Sequence, residues 1–307
     1  MNVEFEQAGL QVFERGWLSS NNVLFVGDEH RPSVLVDSGY GSHAGQTVAL
    51  VRAALRGRRL DNIVNTHLHS DHCGGNHALQ SVFDCHVDVP AGEAAKVDEW
   101  DEDALTYRAT GQNCPRFRRT GSVEAGSSIV HGDLTWRALG APGHDPESLV
   151  FYQPDLRLLI SADALWENGF GVVFPELEGV QAFDEVRATL EMLSSLEVKW
   201  VIPGHGAPFG NMNPALERAF RRLDSFERDP VRHARYAGKV LIKFHLLEYQ
   251  RQRLEVLHDW ISTTRYFRMI RDLYFGDEAF DAWRDGLLDE LLAGGALRIR
   301  GDWVHNA

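Results

Sequence analysis

A chain of 307 residues with 44% hydrophobic and 24% charged residues can bury a large core, about two domains' worth, and is too apolar to be disordered. The net charge of −13 is uneven: residues 1–210 hold 15 Lys and Arg against 29 Asp and Glu, and residues 211–307 hold 16 against 15, so neither part carries a basic nucleic-acid footprint. Three cysteines (Cys73, Cys85, Cys114), no apolar run of membrane-spanning length and no signal-peptide pattern argue against a disulfide framework and a membrane span, and favour a cytoplasmic setting.

In chain order, Met1 to Gln7 alternates like a strand. Val23-Leu24-Phe25-Val26 and Ser33-Val34-Leu35-Val36 read as short strands around a turn-rich segment at 27–32. A helix is predicted from about Ser42, taken as its N-cap, to Leu55. Asn62 to Thr66 is the next strand, and strand–helix–strand order indicates an α/β fold. Residues 90–122 have poor periodicity and read as an insertion with some helix, either a lid over a site or a solvated connector. Strands return at 134–139, 149–152 and 156–161. A helix follows at about Phe183 to Leu196, then a strand at 199–202. After Pro214 the pattern is helical, with Val240, Leu241, Phe244 and Leu247 at helical spacing. The end reads as a helix, a Gly294-Gly295 break and a hairpin turning at Gly301-Asp302. The division falls near Gly210: 1–210 and a mainly helical 211–307.

The chemistry-bearing segment is Thr66-His67-Leu68-His69-Ser70-Asp71-His72 at the end of a strand. In extended chain His67 and His69 point the same way and can share one metal. A turn after Ser70 would send Asp71 and His72 to a second. Three further candidates each follow or end a strand, where a sheet presents its chemistry: His144, Asp163 and His205. Alone, a histidine after Pro-Gly is a turn residue and an aspartate after an apolar strand a helix N-cap. Together, five imidazoles and two carboxylates form a ligand set for zinc that iron or manganese would also accept.

With those residues in view, His-x-His-x-Asp-His followed by separate His, Asp and His resembles the metallo-β-lactamase superfamily, over about residues 1–210. The resemblance implies an αββα sandwich with the metals at one edge: His67, His69 and His144 on one ion, Asp71, His72 and His205 on the other, and Asp163 bridging both together with a hydroxide. It also implies that Asp37, in Val34-Leu35-Val36-Asp37-Ser38-Gly39, supports the metal loop without ligating. An aspartate at 163, where family β-lactamases have cysteine or serine, points to the glyoxalase II-like, lactonase, phosphodiesterase and nuclease branches. Asp145-Pro146-Glu147-Ser148 departs from the commoner Thr-Pro-Gly-Ser, with Glu147 expected to face solvent.

The expected function is hydrolysis of a small acyl compound (thioester, ester or lactone), with a hydroxide nucleophile and Asp71 or Asp163 taking its proton. The alternatives are a nuclease or phosphodiesterase of the same fold and a mononuclear iron oxygenase of the persulfide type. A binding protein of this fold would be expected to lose ligands, and none is missing. The tail resembles the winged-helix-like extension of some family members, but its segment 277–293 carries six acids against Arg284, which disfavours nucleic acid. The basic run Arg218 to Arg235 reads as a solvated helix. Of Trp100, Tyr107, Trp166 and Phe170, only Trp166 is expected to line a substrate pocket, because it follows Asp163 directly.

Overall fold

The computed structural model describes residue 5, residues 8–131 and residues 134–307. The alternation read at 1–7 lies, Phe5 apart, outside the described residues. Strands β1 (Leu10–Phe13), β2 (Asn22–Phe25) and β3 (Val34–Val36) form an antiparallel meander. From β3 the chain crosses over in parallel three times. It runs through α1 (Ala44–Leu55) to β4 (Asn62–Val64), then through α2 (Ser70–Cys73) and α3 (Asn76–Phe83) to β5 (His86–Pro90). Finally it passes through α4 (Ala94–Glu99) and α5 (Tyr107–Thr110) to β6 (Gly121–Val123). These six strands lie in that order in one sheet. Ser42 does not cap α1. A 3-10 turn at Gly41–His43 intervenes, and His43, in the N-cap position, makes no side-chain capping bond because its Nδ1 faces Ser19 Oγ at 3.0 Å.

The second sheet contains β7 (Ser128–His131), β8 (Leu134–Gly140), β9 (Leu149–Gln153) and β10 (Leu158–Ala162), all antiparallel. Short α6 (Phe174–Leu177) and α7 (Phe183–Ser194) then lead to β11 (Trp200–Pro203), parallel to β10, and to β12 (Phe209–Gly210) at the edge. Strand alternation sorts the apolar residues by layer. Val23, Phe25, Val34, Val36 and Val64 face Trp136, Phe151, Leu158 and Ile202 of the other sheet. Leu24, Leu35 and Ile63 turn outward onto Val51, Leu55 and Leu79 of α1 and α3. On the far side Val150, Leu159 and Val201 meet Leu190 and Leu193 of α7. The result is the expected helix–sheet–sheet–helix sandwich.

Helix α8 (Met212–Arg228) also lies on that outer face, burying Ala215, Leu216, Ala219 and Leu223. Beyond it, α9 (Pro230–Tyr249), β13 (Arg251–Arg253), α10 (Leu254–Thr263), α11 (Arg265–Tyr274), α12 (Phe280–Ala293) and the hairpin β14 (Leu297–Arg300) and β15 (Trp303–Asn306) close a further apolar cluster. Trp283, Leu287, Phe267 and Leu241 are its centre, and it extends to Val172, Leu177 and Ala109 beside the site. Among the described residues no helix is long and apolar enough to cross a membrane.

Candidate metal centre

All seven expected ligands converge at one edge of the sandwich. The chain is extended at His69 (φ −64°, ψ 148°), then winds one turn as α2, so that Asp71 and His72 offer their donor atoms to a second group although the His72 ring stays 4.0 Å from that of His67. His144 comes from the β8–β9 loop, Asp163 directly follows β10, and His205 follows β11. The pairing of β10 with β11 is irregular between Ile160 and Ala162, and Ala162 is left-handed (φ 45°). Such backbone is costly for a residue with a Cβ and here redirects the chain just before Asp163. The donor atoms form two groups: His67, His69 and His144, and Asp71, His72, Asp163 and His205, each within 4.8 Å.

Hydrogen bonds behind the rings set which nitrogen faces inward. His144 Nδ1 lies 2.6 Å from the Val172 carbonyl and His72 Nδ1 lies 2.8 Å from Asp37 Oδ2. Both partners only accept, so each Nδ1 carries the proton, which leaves Nε2 of each ring, when neutral, to aim a lone pair into the centre. His144 Nε2 is 2.8 Å from His69 Nδ1 and 3.5 Å from Asp163 Oδ2, while His72 Nε2 is 3.3 Å from Asp163 Oδ1. His205 Nε2 is 3.0 Å from Asp71 Oδ2. His67 Nε2 and His72 Nε2 are buried without a hydrogen-bond partner. Buried orphans of this kind need an explanation, and in a converging N/O donor set a divalent cation supplies it. The residues therefore fit metal ions.

The electrostatics divide the histidines. Burial pushes His69 and His144 down to about 4 and holds His67 well below the usual imidazole range, which keeps these imidazoles neutral. Burial also opposes charge on Asp163 and on His72, but the attraction among them outweighs it. His205 and His72 hold Asp163 well below the usual carboxylate range, and the carboxylates of Asp163, Asp37 and Asp71 hold His72 well above the usual imidazole range.

Asp37 is not among the converging donors. Left-handed itself (φ 57°), it accepts from the Thr66 backbone N–H (2.9 Å) and Thr66 Oγ (2.8 Å) as well as from His72, so one buried carboxylate fixes both ends of the ligand loop. Asp37→Asn would turn an N–H toward His72 Nδ1 and reverse that tautomer. It is expected to weaken metal binding by about 10- to 100-fold, measured by competition with a chromophoric chelator. Unchanged affinity would remove Asp37 from the support of the site.

The profile described as Metallo-beta-lactamase superfamily matches residues 15–205. The chain belongs to the metallo-beta-lactamase superfamily. Among curated proteins it is similar to a hydroxyacylglutathione hydrolase of Rhizobium etli, 28% identical over 170 residues, covering 55% of each chain. It is also similar to one of Brucella ovis, 30% identical over 159 residues, covering 51% of this chain and 50% of that one. The chain thus spans about half the length of the curated relatives it matches. A solved structure of a metallo-beta-lactamase family protein from Thermus thermophilus superposes with a TM-score of 0.58 over 98% of this chain and 99% of that one at 18% identity, a likeness of fold alone.

Around this superfamily centre, Trp166 does line the recess, its indole N–H donating to Asp163 Oδ1 at 3.2 Å. Trp100 and Tyr107 pack in the core with Phe117, and Phe170 is fully buried. Thr106, Thr110 and Gln112 of the 90–122 segment reach the recess, and Ser70 Oγ, between two of the donors, donates to Gln112 Oε1. Glu147 faces solvent and His77 is exposed, its Nδ1 on the Arg116 carbonyl. Sequence reasoning missed Trp17, which stacks on the His205 ring (5.3 Å, 7°), and the wall supplied by α9. Of the basic run, Arg218 donates to the Glu167 carbonyl, Arg222 lies over the Tyr236 ring and Arg235 pairs with Glu290.

Proposed function

We propose that this chain is a hydrolase using two divalent metal ions, zinc in the first instance, on a small acyl substrate (a thioester, ester or lactone). His67, His69 and His144 would hold one ion and Asp71, His72 and His205 the other, with Asp163 shared. The observation that carries the reading is Asp163: Oδ1 faces His72 of one donor group and Oδ2 faces His144 of the other. Bound ions would supply Lewis-acid chemistry, making water nucleophilic at neutral pH and polarising the acyl oxygen.

The chain's own part is to orient and to move the proton. Trp166 restrains the Asp163 carboxylate, and Asp71 is restrained by His205. Either carboxylate is assigned the uptake of a proton from the attacking water. Trp17, Trp166 and Phe174 line the recess and would border the reacting bond. The name of the curated relatives supports the acyl class. We further propose residues 1–210 as the catalytic unit and 211–307 as a helical extension.

One observation favours the nuclease alternative. The register of the small sheet gathers Arg251, Arg298, Arg253 and Arg300 on one face around Trp303, with guanidiniums of Arg251 and Arg253 over the ring at 5.3 and 5.7 Å. An aromatic ringed by arginines is a face that single-stranded nucleic acid can use. The recess itself does not share this basic character.

The test is a substrate panel of thioesters, esters, lactones, phosphodiesters and short RNA, run with metal analysis. About two ions per chain are expected, with turnover of an acyl substrate that disappears on chelation and returns with zinc. Turnover surviving complete metal removal would refute the reading, and cleavage of RNA alone would favour the alternative.

A further inference from the structure

Two recesses open on the metal centre and meet at His69, His144, Thr106 and Phe174. One of them runs beneath α9. Tyr236, Val240 and Phe244 recur every fourth residue along α9 and so share the face that forms its wall. Apart from the candidate ligands, no charged side chain among the described residues lines this recess, and its polar groups are hydroxyls, one amide and the indole N–H of Trp166. The second recess contains a single cation among the described residues, Lys96, whose Nζ is already 2.7 Å from Glu93 Oε1, and it also exposes Asp145 and Glu178. Among the described residues, neither route to the metals offers an unpaired cation.

An anionic group drawn into either recess would lose its hydration without gaining a counter-charge, which is costly. An alkyl chain along the α9 wall gains about fourfold in affinity for each methylene buried. We propose that the substrate is an uncharged ester, thioester or lactone whose apolar chain lies along α9, and that the recess excludes anionic leaving groups such as glutathione. This rests on the hydrolase reading and narrows it. It also sets this chain apart from the relatives whose name specifies a glutathione conjugate. In the reaction, water oxygen bonds to the acyl carbon and the acyl C–S or C–O bond breaks. One water proton ends on the leaving thiol or alcohol, which in a lactone stays attached to the product. Val240 and Phe244 determine specificity.

The experiment compares two hexanoyl thioesters on the metal-loaded full chain, one of glutathione and one of the neutral thiol N-acetylcysteamine. In parallel, binding of the uncleavable hexyl thioethers of the same two thiols is followed by tryptophan fluorescence, since Trp17 and Trp166 line the recess. The neutral compound is expected to win by at least about tenfold in kcat/KM and in affinity. Shortening its chain should cost about fourfold per methylene. Val240→Lys, which adds the missing cation, is expected to narrow or reverse the preference. Phe244→Ala, a milder change, is expected to flatten the chain-length dependence. Equal or tighter binding of the glutathione compound, or no binding of the neutral one, overturns the inference. Binding as expected without cleavage of either thioester leaves the recess's preference for neutral, apolar ligands standing and counts against the thioester form of the hydrolase reading alone.

Discussion

Asp163→Asn is expected to cut kcat/KM by on the order of 10² to 10³ and to bring the metal content from about two ions per chain toward one. The substitution keeps the shape of the side chain and an oxygen for the Trp166 indole N–H. What it removes is the negative charge and one of two oxygens, those now 3.3 Å from His72 Nε2 and 3.5 Å from His144 Nε2. In their place an amide N–H₂ would face a ring nitrogen, donor groups would meet positive charge, and one of the two donor groups would be left short. Elemental analysis and steady-state kinetics on the same preparation check the result. Two ions retained with unchanged turnover would sink the proposal that this carboxylate is shared between two metals.

Gly204→Ala should be nearly as damaging, although residue 204 ligates nothing. A Cβ there would sit 2.1 Å from Asp163 Oδ1, 3.0 Å from the Ala162 carbonyl carbon and 3.0 Å from His72 Cε1. Asp163 cannot swing aside, because Trp166 and the imidazoles of His72 and His144 hold it. The methyl group must therefore displace the carboxylate or the β11 end that carries His205. Overpacking of this kind costs about 1–3 kcal/mol, and here the displaced groups are the donors themselves. Thermal melting should fall, and metal occupancy should fall with it. Gly45→Ala in α1, where nothing lies within 4 Å of the added Cβ, serves as the control and should melt at or above the parent temperature. If Gly204→Ala matched the parent in metal content, the close packing of Gly204 against the donors would have no functional weight.

The first four donors were legible because their geometry is local. The spacing of His67, His69, Asp71 and His72 already contains an extended pair followed by one helical turn, and that is how the chain runs. His144, Asp163 and His205 could be found because each follows an apolar strand, and strand ends in a two-sheet sandwich gather along one edge. The layers were legible for the same reason, with alternate residues of 23–25 and 34–36 dividing between two apolar clusters.

What the sequence concealed is non-local. Val240 and Phe244 read as ordinary core positions of an amphipathic helix, since periodicity separates apolar from polar faces but does not tell a recess wall from a core. Trp17 lies in a turn with no pattern of its own, and only the approach of β11 brings His205 under its ring. Gly204 and Gly171 carry no sequence signal of their own, whereas the Cβ each lacks would fall within 2.1 Å of Asp163 and 2.3 Å of His144. The arginine face of the small sheet was hidden in the same way. Its members come from three strands, and β13 was not legible as a strand at all.

Helix α9 joins the site from far along the chain, after the last candidate ligand, and is anchored at its end by Glu248, which accepts from Tyr40 Oη at 2.9 Å. On the proposed reading, reactivity and selectivity are therefore inherited as separate passages of the gene. Codon changes at 236, 240 and 244 can reshape what is admitted while the histidines and aspartates stay as they are. A lineage built this way can acquire new substrates without passing through a broken catalyst, provided the Tyr40–Glu248 clasp is kept.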